Sequence, residues 1–112
     1  MKECYIQRIP EAVQVAIADL IPPFQEDVPG WIISRINTPW QSRNRGFGSR
    51  LLDRICSDAD YERVWLWLQP LATGQEMNGL NQEQLVAWYK KFGFKVSKDF
   101  PTYMYRRPGR AK

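Results

Sequence analysis

Residues 43–48 read Arg-Asn-Arg-Gly-Phe-Gly, an R-x-x-G-x-G run placed directly ahead of a segment with helical periodicity. The first N–H groups of a helix have no partner within it, and the helix dipole places partial positive charge there. A glycine at that point lets an anion such as phosphate approach the backbone without a Cβ in the way. Arg43, Arg45 and Arg50 add formal positive charge around the same turn. A plainer reading keeps Gly46 and Gly48 as turn residues and the arginines as solvated surface, and the run by itself leaves both open. Two phosphate-binding patterns fail on spacing. A P-loop needs G-x-x-x-x-G-K-[ST], and a dinucleotide loop needs a small residue at position 51, which is Leu51, plus an acid after the next strand, where residues 69–72 read QPLA.

The chain has 112 residues and no histidine. That removes Ser-His-Asp and Cys-His catalysis and every histidine-containing zinc site, and no metal is expected. Chemistry is left to carboxylates, tyrosine, lysine, cysteine, backbone amides and water. A net charge of +4 favours an anionic partner, whether nucleic acid, a phosphate-bearing cofactor or an acidic protein face. Cys4 and Cys56 are too few to form a disulfide framework, so reduced thiols are expected. No apolar run approaches the ~20 residues of a membrane helix, and the N-terminus has no signal-peptide stretch; a cytoplasmic protein of one domain, residues 1–112, is expected.

The elements that must hold the 43–48 run are legible from pattern. Residues 3–9 suit a short strand stopped by Pro10. Residues 10–21, PEAVQVAIADLI, start with a proline at a helix N1-like position and carry Val13, Ala16, Ile17, Leu20 and Ile21 at helical spacing, so a helix is expected, although Val13, Val15 and Ile17 also alternate as in a strand. Residues 31–38, WIISRINT, are β-branched and apolar and predict a strand. Phe47, Leu51, Leu52, Ile55 and Cys56 lie on one face of a helix running from Gly46 to about Ser57. Residues 63–70, RVWLWLQP, suit a central strand. Asn81 and Gln84 form a capping-box pattern ahead of a helix with Leu85, Val86, Tyr89 and Phe92 on its apolar face and Gly93 as its stop. Two short strands around residues 97–101 close the domain, and residues 108–112 are expected to fray. The fold class is α/β or α+β, with a mixed β-sheet flanked by helices.

The R-x-x-G-x-G run after the RINT strand end resembles the acetyl-CoA pyrophosphate loop of the GCN5-related N-acetyltransferases. Residues 85–94, LVAWYKKFGF, are similar to the second signature of that family, a helix ending in a tyrosine followed by an aromatic-Gly-Phe turn into a strand. About forty residues and one strand separate the two, which also suits the family, and together they span roughly residues 31–97. Members usually open with a strand, two helices and a β-hairpin; only about thirty residues precede Trp31, so the resemblance implies a shortened N-terminal region, as in short single-domain members of bacteria and their phages.

The resemblance implies transfer of an acetyl group from acetyl-CoA to a primary amine, on a protein or a small molecule. The backbone of Asn37 and Thr38 would pair with the pantetheine arm, amides from Arg43, Asn44, Arg45, Gly46, Phe47, Gly48 and Ser49 would hold the pyrophosphate, and Tyr89 would protonate the departing thiolate. Tyr89 also fits a plain core position, since it shares a stripe with Leu85 and Phe92. An acceptor lysine with a pKa near 10.4 costs roughly 4–5 kcal/mol to deprotonate at pH 7. Glu76, just beyond the 63–70 strand, is the one candidate base, with an exposed loop acid as its plainer reading. Two rival readings stand beside transfer: a protein that binds CoA without catalysis, and a small basic nucleic-acid-binding module whose five tryptophans stack bases. A homodimer is a further expectation; a membrane partner is not.

Overall fold

A computed structural model describes residues 1–8, 15–23, 30–37, 47–70 and 82–109. The elements run β1 (Cys4–Arg8), β2 (Val15–Ile21), β3 (Trp31–Asn37), α1 (Phe47–Glu62), β4 (Leu66–Leu68), α2 (Gln82–Lys91), β5 (Lys95–Val96) and β6 (Met104–Arg106). The strands form one sheet in the order β1-β2-β3-β4-β6-β5. β3 and β4 are parallel and joined by a crossover through α1; the other neighbours are antiparallel, which makes the fold mixed α+β. Among the described residues no helix is long and apolar enough to cross a membrane.

The segment expected to be a helix is the strand β2. Ala16, Ala18 and Leu20 are buried while Ile17 and Asp19 between them are only partly covered, a period of two. Ala16 and Leu20 lie on the expected helical stripe as well as on the buried strand face, whereas Ile17 of the strand alternation falls on the less buried face. Pairing with a strand on each side decided for the sheet. The register of β2 against β3 shifts between Asp19 and Leu20, so that Ile33 and Ile36, three residues apart, both reach the core. The Ser34 hydroxyl donates to the Asp19 carbonyl at 3.0 Å beside that shift.

One core joins Tyr5, Ala16, Ala18, Leu20, Ile33, Ile36, Leu66, Leu68 and Met104 of the sheet to Leu51, Leu52, Ile55, Cys56 and Ala59 of α1 and Leu85 and Tyr89 of α2. Both helices therefore cover the same face. α1 extends to Glu62, beyond the expected end near Ser57, because Ala59 continues its buried stripe. It closes with Arg63 at φ 58°, the Val64 N–H donating to the Ala59 carbonyl and the Arg63 N–H to the Asp60 carbonyl. This is a Schellman cap with an arginine where glycine is usual. α2 closes the same way through Gly93 at φ 94°, with the Phe94 N–H donating to the Tyr89 carbonyl and the Gly93 N–H to the Lys90 carbonyl.

Arg106 continues the core-facing side of β6 and needs a partner there. Its guanidinium donates to both Asp60 carboxylate oxygens, at 2.7 and 2.9 Å, and through Nε to the Phe92 carbonyl at 2.6 Å. The pair holds the Asp60 carboxyl below its usual pKa and raises that of Arg106. Asp60 also accepts the Gly109 N–H at 2.6 Å, so the start of the tail expected to fray is anchored at Gly109; residues 110–112 lie outside the described residues.

Candidate functional site

Parallel strands joined through a helix place ligand sites at their carboxyl ends, where the crossover helix begins. β3 and β4 pair from Trp31↔Leu66 to Ile33↔Leu68. Beyond Ile33, β3 continues to Asn37 but, among the described residues, pairs only with β2. Among the described residues the two strands thus pair no further than Ile33, and one side of the Ser34–Asn37 backbone has no described strand neighbour. α1 begins on the same connection, at Phe47, with no acidic residue in its first turn.

Asn37 is the last residue of β3, opposite Ile17. Phe47 opens α1, Gly48 is buried in its first turn, and Ser49 is half-buried. Thr38, Arg43, Asn44, Arg45 and Gly46, and the candidate base Glu76, lie outside the described residues.

Tyr89 comes from the second signature, and three contacts fix the helix that carries it. At the start of α2 the Gln82 amide donates to the Pro70 carbonyl at 2.6 Å, just past the end of β4. In its middle the Trp88 indole N–H donates to the Ser49 hydroxyl at 3.1 Å, tying α2 to the first turn of α1. At its end Arg106 holds the Phe92 carbonyl. Tyr89 is 3% exposed, with its ring 5.0 Å from that of Trp88 and 5.6 Å from that of Phe94. The contact with Phe94 is the hydrophobic pair that accompanies a Schellman cap. Burial pushes the Tyr89 pKa up, and its hydroxyl has no hydrogen-bond partner among the described residues. The result is a phenol that keeps its proton throughout the neutral range, one residue from a tryptophan bound to the turn of α1.

Trp65, just before β4, and Trp67 within it stand side by side on the sheet face opposite the helices, 6.3 Å apart and 14° from coplanar. Tyr105 packs against both, at 5.8 and 5.5 Å, and the Arg107 guanidinium lies 5.2 Å from the Trp65 ring centre. The Trp67 indole N–H is buried without a partner among the described residues.

Two contacts could not be seen in the sequence, Trp88–Ser49 and Asp60–Arg106, since each spans about forty residues or more. A faint signal existed for the second: once Met104 faces the core, Arg106 two residues later must as well, and a buried arginine calls for a carboxylate.

No protein-family model matches the chain, and no curated protein matches it. Among solved structures it is similar to the crystal structure of the anti-CRISPR protein AcrVA5, with a TM-score of 0.59 and 17% identity over 81% of this chain and 86% of that one. At that identity the likeness is one of fold.

Proposed function

We propose that the chain transfers the acetyl group of acetyl-CoA to a primary amine in the cytosol. The observation that carries this reading is the parting of β3 and β4 beyond Ile33, with α1 starting on the same connection. A strand edge with no described partner suits the amide-bearing pantetheine arm, which can add alongside β3 as a further strand would. The acid-free first turn of α1 suits the pyrophosphate. The resemblance of residues 43–48 and 85–94 to the GCN5-related N-acetyltransferases supports the same assignment. So does the element order, in which a β-hairpin, β1–β2, precedes the strand leading into the loop.

In this reading the amine nitrogen attacks the thioester carbonyl carbon, forming the C–N bond. Backbone N–H groups at the end of β3 stabilise the oxyanion. Collapse breaks the C–S bond, the Tyr89 hydroxyl gives its proton to the sulfur, and the proton the nitrogen loses to water is returned from water to the Tyr89 phenolate. Burial raises the pKa of the phenol, so the hydroxyl holds its proton until the thiolate forms.

The test is the release of free CoA thiol from acetyl-CoA, with mass spectrometry of the acceptor, across lysine peptides, N-terminal amines, aminoglycosides and polyamines. Amine-dependent release with an acetylated product supports transfer. Binding of acetyl-CoA without turnover on any amine would leave a CoA-binding protein and remove the catalytic role of Tyr89.

A further inference from the structure

Both helices lie on one face of the sheet, and among the described residues no element covers the other. The pairing register assembles that open face row by row. Ile21 pairs with Ile32, Ile32 with Trp67, and Trp67 with Tyr105, giving one apolar row across β2, β3, β4 and β6. A second patch is the Ile6–Ile17 pair of β1 and β2. Ile6 is 50% and Ile21 41% exposed. Between the patches Asp19 of β2 sits opposite Arg35 of β3, with carboxylate and guanidinium 2.7 Å apart.

We propose that this face is a two-fold interface between two copies of the chain. The occupant follows from the charge pattern. Place a two-fold axis along the strands between β2 and β3. Asp19 then faces Arg35 of the second copy and Arg35 faces its Asp19, so a single acid–base pair complements itself, as an isologous contact requires. The same operation sets Ile21 over Ile32 of the other copy. Lys95 and Arg107, on β5 and next to β6, fall outside the overlap and keep their charge in water. A second copy satisfies the charge pair at the centre of the face.

The contact centres on β2 and β3, 7 residues each. At ~3.3 Å per residue and ~4.8 Å between strands they present roughly 220 Å² in plan. That is less than the ~800 Å² per partner of a standard interface, which sets the expectation of a weak, reversible dimer. Two such sheets stack face to face in the aligned manner of a sandwich. The outer edge of β1 is not the contact, since the Arg54 guanidinium caps the Ile6 carbonyl at 2.7 Å and blunts pairing there.

Sedimentation across about 1–200 µM, a range set for a micromolar dissociation constant, tests the interface. Wild type should pass from monomer to dimer. Asp19→Arg alone and Arg35→Asp alone should each raise the dissociation constant at least about tenfold, through like charges facing across the axis. An equimolar mixture of the two variants should dimerise again, because each copy then supplies the charge the other lacks. Ile6→Asp with Ile21→Asp, at exposed positions, should give a folded monomer by circular dichroism, and it decides the matter if a charge variant fails to fold. A monomeric wild type at the highest concentration overturns the proposal. So does a dimer that survives the isoleucine changes, or a mixture that stays monomeric although both charge variants are folded.

Discussion

Replacing Tyr89 by phenylalanine separates the two roles this residue could hold. The ring packs between Trp88 and Phe94 and belongs to the cap that ends α2, so a phenylalanine keeps the packing. Only the hydroxyl is lost, and it has no hydrogen-bond partner among the described residues. Losing a satisfied buried hydrogen bond costs about 1 kcal/mol or more, whereas deleting an unpaired hydroxyl is close to neutral. With an unfolding entropy of about 2.1 cal/mol/K per residue, a 112-residue domain shifts by roughly 4 °C per kcal/mol. Tyr89→Phe should therefore melt within about 2 °C of wild type. General acid catalysis is worth about 10²–10⁴-fold, and a thiolate leaves without full protonation, so a loss of kcat of roughly 10–10³-fold is expected, or about 1.4–4 kcal/mol. Acetyl-CoA affinity should hardly change. The assay is thiol release under conditions where chemistry limits the rate, with the melting curve taken on the same sample. Undiminished turnover in a stable variant would refute the acid assignment. A drop of about 4 °C or more would instead show a hydrogen bond that the reasoning excluded.

Further outcomes follow from the same structure. With Tyr89 pushed above the ordinary phenol value near 10, the acid stays protonated and kcat should show no alkaline loss from it below about pH 10. Asp60 is depressed in the folded state, so its contribution is complete above its unfolded pKa near 3.9 and is lost as pH falls below that value. Asp60→Asn should cost about 1–2 kcal/mol at pH 7, discounted for the partial exposure of the carboxylate, and should flatten the acid limb of Tm against pH. Gly30 has φ 150°, and a Cβ there would meet the Trp65 carbonyl that receives the Trp31 N–H, so Gly30→Ala should cost at least about 2 kcal/mol by chemical denaturation.

Local pattern revealed much of this molecule. β3 and β4 were plain from runs of β-branched and aromatic residues, and the end of α2 from Gly93, whose φ of 94° few other residues adopt. β2 was obscured because Ala16, Ile17, Leu20 and Ile21 fall at helical spacing, and its choice rested on partners far away in the sequence. The end of α1 was hidden because Arg63 takes the left-handed cap position that glycine normally marks. At the candidate site, Gly48, Ser49 and Tyr89 were singled out by the resemblance of the two signatures, but the indole bond that links their helices was not. Neither was the arginine clamp that ends α2, since no local pattern encodes a contact between residues 60 and 106.

Calorimetric titration of acetyl-CoA into the chain tests the central claim most directly. One acetyl-CoA should bind per chain, and Gly46→Asp should abolish the heat by bringing a carboxylate against the pyrophosphate while leaving the unliganded melting curve intact. Dephospho-CoA should compete poorly and a 20-residue oligonucleotide hardly at all. No heat of binding in saturating acetyl-CoA, from a chain that melts cooperatively, would contradict the account.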